Sequence, residues 1–365
     1  MQLLFITGTP ATVREGSGTW TGISTLASAL RNLGHKVALR TLEPGPGDYP
    51  ARRTAFNASL HSLDLSPFDA VVGFDMDGHA LAGRGGPPHI ASIKGVIADE
   101  ALFEEAGTRA WMEAQAALEA VHCRRADLVV TTSAYSAKRL KELYALERAP
   151  VIVPEPIDLA RWSERLSAAP GEKRPGFTVL CVCRLYRRKR VEVLLKAAAL
   201  LKGRIAGLRV RVVGDGPEQG RLRELHASLK LDGTVDWLGY VPPEELAAEY
   251  RSCNVFCLPS VQEGFGIVLL EAMAAGAPIV ASRAAAIPEV AMGARLVKPD
   301  DERSLADALH HLSSKPEILR QFGEVGRAGV AKYDAPGVAS QFLEAIEPVF
   351  LASSSIPHRP RAMPT

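Results

Sequence analysis

The sequence predicts an α/β protein with two doubly wound parallel-sheet domains that face a central cleft. Short apolar runs alternate with amphipathic helical segments from the first residues onward. The same alternation starts again at Thr178, after a segment over 158–177 that is rich in proline and glycine. The length of 365 residues is also more than one hydrophobic core usually holds, so two domains are expected.

The first half begins with a buried strand, because its apolar run is short and lacks the basic start of a signal peptide. A glycine-rich loop over 15–22 and a helix over 21–33 follow it. A long amphipathic helix is expected over 99–124, with Leu102 and Trp111 on its apolar face. The other predicted elements are strands at 36–41, 70–74, 89–93, 128–132 and 151–153, and a helix at 137–144.

The second half repeats the pattern and supplies the domain limits. We expect a first domain over 1–160 and a second over 161–336, joined by a linker within 158–177. A helix at 337–351 and a disordered tail at 352–365 end the chain. The predicted strands are 178–182, 208–213, 235–238 and 255–258, and the helices are 190–202, 219–229, 243–251 and 267–275.

Composition argues against several classes of protein. A net charge of +2 does not suit a nucleic-acid binder, which needs a strongly basic domain. The five cysteines show no paired zinc or disulfide spacing, which fits a reducing cytoplasm. No apolar run approaches the roughly 20 residues that cross a bilayer. Basic clusters at 52–53, 124–125 and 138–141 make peripheral contact with the inner membrane face an additional expectation. The oligomeric state is left open.

The segment 257–282 carries the strongest candidate site. It combines a strand, a turn at Glu263, a Gly-Phe-Gly bend and a helix that contains Glu271 and stops at Gly276. Free N–H groups and the helix dipole favour an anion at the bend, and the two carboxylates can face the same crevice. The alternative is an ordinary strand–helix turn with Glu271 solvated on an exposed face.

A dense basic loop over 183–190 follows the first strand of the second half. Its position at the carboxyl end of a strand predicts that Arg184 and Lys189 point into the cleft. There an arginine can hold a phosphate through two hydrogen bonds, and a lysine acts as a compact charge. A solvated surface cluster is the alternative.

Two other ligand classes have weaker support. The glycines at 16, 18 and 22 resemble a dinucleotide fingerprint, but the third comes one residue late and no acid ends the second strand. Asp75 and Asp77 after an apolar strand have the spacing of a divalent-cation site, which a polar loop explains equally well.

These motifs together resemble retaining glycosyltransferases of the GT-B fold, family 4. That fold pairs two Rossmann-like domains, and its last helix crosses back onto the first one. The resemblance covers most of the second half and extends weakly to the first half through Gly18 and 34–37. The motifs that carry it are Arg184-Leu185 with Lys189, 213–217, 238–241, 258–260, and Glu263 to Glu271 followed by 272–276.

The resemblance implies transfer of a sugar from a UDP, GDP or ADP donor with retained anomeric configuration, without an essential metal or cofactor. Arg184 and Lys189 would neutralise the departing diphosphate, Glu263 would bind the donor sugar, and Glu271 would bind the ribose. The transition state would be oxocarbenium-like and reached on the front face. The other implied donor contacts are Gly18, Gly214, Val241, Phe265, Gly266 and Ile267.

The first domain would bind the acceptor, a small molecule, a glycan or a lipid-linked sugar. Lys94 stands where many members have a histidine, and we expect it to contact an anionic acceptor or a donor phosphate. Asp75, Asp77 and His79 are further acceptor-side candidates. The alternatives are a metal-dependent transferase that uses Asp75 and Asp77, and a non-catalytic nucleotide-sugar binder.

Overall fold

The computed structural model describes residues 1–170 and 174–354, with side chains for all of these except 13–17 and 351–354. The first six strands are β1 (Gln2–Thr7), β2 (Lys36–Thr41), β3 (Ala70–Phe74), β4 (His89–Ile93), β5 (Leu128–Thr131) and β6 (Val151–Ile152). They form a parallel sheet in the order β2-β1-β3-β4-β5-β6. Its helices are α1 (Val13–Asn32), α2 (Tyr49–Ser59), α3 (Ile97–Ala101), α4 (Ala106–Arg125) and α5 (Ala134–Tyr144). We call this unit the first lobe.

The second lobe holds another parallel sheet, in the order β12-β11-β10-β7-β8-β9. Its strands are β7 (Phe177–Val182), β8 (Leu208–Val213), β9 (Val235–Gly239), β10 (Val255–Leu258), β11 (Ile279–Ser282) and β12 (Arg295–Val297). The remaining helices are α6 (Leu159–Ala168), α7 (Val191–Leu201), α8 (Gln219–Ser228), α9 (Pro243–Ser252), α10 (Ile267–Ala274), α11 (Ile287–Val290), α12 (Glu302–Ser313), α13 (Pro316–Gly329) and α14 (Ala335–Ser354). Short 3-10 turns lie at 60–62, 187–189 and 330–333.

The central strands are buried along their whole length. All residues of β3, β4, β7 and β10 are buried, as expected for parallel strands that carry helices on both faces. Continuous apolar runs such as β10, Val-Phe-Cys-Leu, therefore fold as inner strands. The predicted fold class of two doubly wound parallel sheets is confirmed within the described residues.

Helix α1 begins at Val13, well before the predicted start at residue 21, so the expected glycine-rich loop over 15–22 is helical. The glycines serve packing. A Cβ added to Gly18 would lie 3.0 Å from the Ile267 side chain, and one on Gly22 would lie 2.1 Å from a carboxylate oxygen of Glu155. Small residues thus let α1 come close to both neighbours.

The long helix predicted over 99–124 is interrupted at 102–105, and α3 and α4 are separate. Leu102 is 54% exposed and Trp111 is 39% exposed, so their expected place on a buried face is wrong. The buried side of α4 runs through Ala116, Ala120 and Cys123 in its second half, while the first half lies away from the core.

Half of the predicted linker over 158–177 is helical, in α6. Asp158 caps α6 by accepting a hydrogen bond from the Arg161 backbone N–H, at 2.9 Å. Trp162 on α6 is buried in the core of the second lobe, edge-on to Tyr250 with ring centroids 5.9 Å apart. Proline and glycine therefore misled the prediction for the part of the segment before residue 169.

The chain crosses between the lobes twice, and the two crossings lie side by side. The Ile157 N–H donates to the Tyr333 carbonyl and the Ala335 N–H donates to the Ile157 carbonyl, each at 2.9 Å. Helix α14 then packs on the first lobe, where Phe342 meets the Phe5 ring at 6.3 Å.

The end of the chain differs in part from the prediction. Residues 352–354, expected in a disordered tail, belong to α14. The rest of that tail, 355–365, lies outside the described residues. Within the described ranges, the helices lack the combination of length and hydropathy that a bilayer crossing requires.

Candidate functional site

A cleft of about 270 Å³ lies between the lobes, at the carboxyl ends of β4, β7, β8 and β10. Parallel α/β sheets typically bind ligands at these ends. The structure brings together here all the residues predicted for the donor and the diphosphate, together with Lys94. They are Gly18, Lys94, Arg184, Lys189, Gly214, Val241, Glu263, Phe265, Gly266, Ile267 and Glu271.

Lys189 and Glu263 form an ion pair at the centre of this cleft. The Lys189 Nζ lies 2.7 Å from Glu263 Oε1, and the side chains are only 12% and 8% exposed. Lys189 comes from the 3-10 turn after β7, and Arg190 ends that turn in the left-handed region at φ +51°. The turn thus directs Lys189 inward and commits Arg190 to an ion pair with Asp300 at 2.7 Å.

Glu271 lines the cleft from α10, and Tyr250 fixes its position. The Tyr250 hydroxyl is fully buried and donates to Glu271 Oε2 at 2.8 Å. Burial raises the pKa of Glu271 to about 7, although the Tyr250 hydrogen bond acts in the opposite direction. No motif in the sequence selects Tyr250, an aromatic residue on the preceding helix α9.

Gly214 forms the cleft wall beside Arg184. Its φ is +116°, and an added Cβ would lie 2.0 Å from the Cys183 carbonyl oxygen. The Gly214 N–H donates to the Gly239 carbonyl at 2.7 Å, which holds the ends of β8 and β9 together. Only glycine allows this close approach of two backbones. The Arg184 guanidinium lies 6.0 Å from the centroid of the Tyr186 ring.

The Gly-Phe-Gly bend is held by the first lobe. The Gly264 carbonyl accepts hydrogen bonds from the hydroxyls of Ser133 at 2.7 Å, Ser136 at 3.0 Å and Thr132 at 3.3 Å. Gly266 then takes φ +87° and begins α10. The turn that carries Glu263 is therefore positioned by side chains that lie about 130 residues earlier in the chain.

Further polar contacts close the lobes against each other. The Glu289 carboxylate of α11 accepts the backbone N–H groups of Ala134 and Tyr135, each at 2.8 Å, at the start of α5. A carboxylate is favourable there because the helix dipole is positive. Arg188 pairs with Glu100 of the first lobe at 3.0 Å. The structure thus has the lobes in direct contact around the cleft.

Lys94 has a partner that the sequence did not suggest. Its Nζ lies 3.0 Å from Glu155 Oε2, and the two side chains are 6% and 7% exposed. Glu155 follows β6, so both residues come from strand ends of the first sheet. The only sequence signal for Glu155 is an acid placed between two prolines after a strand.

The other acceptor-side candidates do not reach the cleft lining. Asp77 is fully buried, and Arg53 binds both of its carboxylate oxygens at 2.8 and 2.9 Å. Asp75 accepts the Lys94 backbone N–H at 2.8 Å, and the ring of His79 lies against the Met76 carbonyl. These residues shape the first lobe beneath the cleft.

The same contacts bear on the metal alternative. Asp77 uses both oxygens for protein donors, which favours a structural role for the Asp75–Asp77 turn. Over the described ranges, no cluster of three or more histidine, cysteine, aspartate or glutamate side chains is arranged to bind a metal.

Two of the basic clusters are partly internal. Arg53 is paired with the buried Asp77, and the Arg139 Nε lies 2.7 Å from a carboxylate oxygen of Asp99. The cationic surface that could meet a membrane is therefore smaller than the sequence predicted.

Residues 163–329 match the family model described as glycosyl transferases group 1. The fold is the GT-B architecture, as in solved structures that overlay nearly the whole chain. One is a sucrose-phosphate synthase from Thermosynechococcus elongatus, with a TM-score of 0.78 and 22% identity over 96% of this chain and 100% of that one. Another is HepE of Anabaena in complex with UDP-glucose, with a TM-score of 0.72 and 18% identity over 95% and 100%.

Among curated proteins, the chain is similar to the putative colanic acid biosynthesis glycosyltransferase WcaL of Salmonella typhimurium. The two are 31% identical over 199 residues, which cover 52% of this chain and 48% of WcaL. The chain spans about half the length of the first curated relatives it matches. The residues that match the family model lie within the second lobe.

Proposed function

We propose that the protein is a glycosyltransferase of the hexosyltransferase type that moves a sugar from a nucleotide diphosphate donor to an acceptor held by the first lobe. The observation that carries this proposal is the composition of the cleft. Two cations, Arg184 and Lys189, and two acids, Glu263 and Glu271, line one space between two doubly wound lobes. The match of residues 163–329 to a glycosyltransferase family model supports the same activity.

The chemistry follows from where charge develops. When the glycosidic bond to the diphosphate breaks, negative charge grows on the phosphate and positive charge grows on the sugar. Arg184 and Lys189 would stabilise the phosphate from positions that are already fixed before reaction. These side chains would supply the charge that a divalent cation supplies elsewhere, so we propose a metal-independent reaction.

Glu263 would accept hydrogen bonds from the donor sugar, and Glu271 would accept those of the ribose. Lys189 and Glu263 lie 2.7 Å apart, so the lysine that would bind the diphosphate would be next to the carboxylate that would bind the sugar. That geometry suits departure of the phosphate and attack by the acceptor on the same face, with retention of configuration. HepE, which shares the fold, was solved with UDP-glucose, and this makes a UDP-type donor the first to test.

The first lobe would bind a glycan, a lipid-linked sugar or a small-molecule acceptor. The name of WcaL refers to colanic acid biosynthesis, and a glycan acceptor is the first to test. We also propose a cytoplasmic protein with peripheral contact at the inner membrane face, through the exposed side chains of Arg124, Arg125, Lys138 and Lys141.

The test is a thermal-shift panel with UDP, GDP, ADP and their sugars, followed by transfer assays with and without EDTA. A bound ligand raises the melting temperature, so the panel identifies the donor. We expect transfer that survives EDTA, an α-linked product from an α-linked donor by NMR, and loss of about 100-fold or more in kcat for Lys189→Met.

Lys196→Met is the matched control, because Lys196 is exposed on α7 just beyond the loop. Activity abolished by EDTA would refute metal independence. Donor binding with no transfer to a broad acceptor panel would instead support the non-catalytic binder.

A further inference from the structure

Lys94 and Glu155 form an ion pair in the cleft lining. This pair is separate from the basic residues proposed to bind the diphosphate and from the acidic residues proposed to bind the donor sugar and ribose. Lys94 follows β4 and Glu155 follows β6, and both line the cleft. A Cβ added to Gly264 would lie 2.9 Å from the Lys94 carbonyl oxygen, so Lys94 is adjacent to the turn that carries Glu263. The pair therefore lies on the first-lobe wall, next to the proposed sugar site.

The pair is neutral as a unit and holds its geometry. The N···O distance is 3.0 Å and both side chains are almost completely buried. Helix α1 presses on the carboxylate at Gly22, where a Cβ would lie 2.1 Å from Glu155 Oε2. Glu155 accepts one of the three N–H bonds of the ammonium, so Lys94 keeps donor capacity and Glu155 keeps lone pairs.

This arrangement distinguishes charged from neutral groups. A carboxylate or phosphate that approached Lys94 would have to compete with Glu155 and would bring a second negative charge next to a buried carboxylate. A hydroxyl group has no such penalty, because it can accept from Lys94 and donate to Glu155 while the ion pair persists. The pairing with Glu155 therefore favours an uncharged polyol over the anion expected for Lys94 from the sequence.

We propose that Lys94 and Glu155 form a hydroxyl-binding site that selects neutral sugars and rejects carboxylated or phosphorylated ones. The inference rests on the proposed glycosyltransferase function and deepens it. The hydroxyl belongs either to the transferred sugar or to the acceptor, and the two sources are separated by experiment.

The test measures selectivity in two arms. The donor arm compares binding of UDP-glucose and UDP-glucuronate by calorimetry, or GDP-mannose and GDP-mannuronate if the panel selects GDP. The acceptor arm compares kcat/KM for a neutral glycoside acceptor and its 6-phosphate. In the wild-type protein we expect a preference for the neutral member in at least one arm, and that arm identifies the source of the hydroxyl.

Glu155→Gln keeps the shape and releases the Lys94 charge, so we expect the neutral-to-anionic ratio to fall by about tenfold or more in that arm. The double variant Lys94→Gln with Glu155→Gln is the matched control, because it removes both charges and gains no attraction for an anion. Unchanged affinity for the free nucleotide shows that each variant is folded.

Gly22→Ala provides an independent variant if Glu155→Gln does not fold. The added methyl group displaces the Glu155 carboxylate from the Lys94 ammonium without changing a charge. The ratio of neutral to anionic sugar binding should therefore also fall, but by less than in Glu155→Gln. An unmoved ratio in both arms, or equal use of neutral and anionic sugars by the wild type, overturns the inference while donor binding and transfer persist. Failure of every nucleotide sugar to bind overturns the proposed function itself.

Discussion

Replacing Tyr250 by phenylalanine tests whether this tyrosine controls the ionisation of Glu271. Its hydroxyl donates to Glu271 Oε2 at 2.8 Å, and burial already raises the pKa of Glu271 to about 7. A hydrogen bond to a charged group contributes about 1.5–3 kcal/mol, and about 1.4 kcal/mol corresponds to one pKa unit. Loss of the hydroxyl should therefore raise the pKa of Glu271 by about 1 to 2.

The sign of the effect on binding follows from which form accepts hydrogen bonds. Ionised Glu271 accepts ribose hydroxyls better than the protonated acid does, so donor affinity should improve as the pH rises through about 7. In Tyr250→Phe the improvement should move to higher pH, and at pH 7.5 the donor should bind roughly 3- to 25-fold more weakly.

Calorimetric titration with the nucleotide sugar from pH 6 to 9 measures this profile, since that ligand has no phosphate ionisation in the range. Tyr144→Phe is the control, because Tyr144 also donates from a buried site to a buried carboxylate, that of Glu119, in the first lobe. Tyr144→Phe should lower the stability of the protein and leave the pH dependence of donor affinity unchanged. An identical inflection in Tyr250→Phe and the wild type, or affinity that falls with rising pH, would refute the reasoning.

Three further outcomes are expected. Gly214→Ala should weaken donor binding by about tenfold or more in calorimetry, because of the steric overlap and φ of +116°, whereas Gly220→Ala, with nothing within 4 Å, should leave it unchanged. Glu289→Ala removes the acceptor of two N–H groups between the lobes, so kcat should fall more than donor affinity in steady-state kinetics; equal loss of both would contradict a role in closure. His122 contacts His89 in the core, and burial lowers the pKa of His122 from 6.5 to about 4. Between these pH values the unfolded chain binds a proton on His122 that the folded protein does not bind, so stability falls as the pH falls. Urea titrations should then show that the wild type loses about 2 kcal/mol more stability than His122→Gln when the pH falls from 8 to 5, and equal losses in the two proteins would exclude this effect.

Local signals in the sequence were enough for the central strand and turn of the second lobe, but not for α6, which was predicted as a linker. The strand at 255–258 and the start of α10 at Ile267 were predicted correctly, because an apolar run, a glycine bend and a glycine stop act over a few residues. The start of α1 was not predictable in this way. Gly18 and Gly22 are typical of a loop, and only the approach of Ile267 and Glu155 makes them helical packing residues.

The site shows the same division. Charged residues at strand ends, such as Lys189 and Glu263, could be assigned to the cleft because parallel strands bring their carboxyl ends to one edge. The residues that pair with or position the cleft residues could not be identified from the sequence. Glu155 lies 61 residues from Lys94, and Ser133 lies 131 residues from Gly264. The first pair depends on the strand order of the first sheet and the second on how the lobes pack, and no local pattern in the chain encodes either arrangement.

The paired crossings at Ile157 and Asp334 limit how the molecule can open. Two parallel segments joined by hydrogen bonds resist sliding and separation, and they leave rotation about their common direction as the soft movement. The lobes should then open by a hinge rotation about the two crossing segments. Helix α14 returns to the first lobe directly after the two crossings. Its packing against Phe5 therefore attaches the first lobe firmly to the hinge.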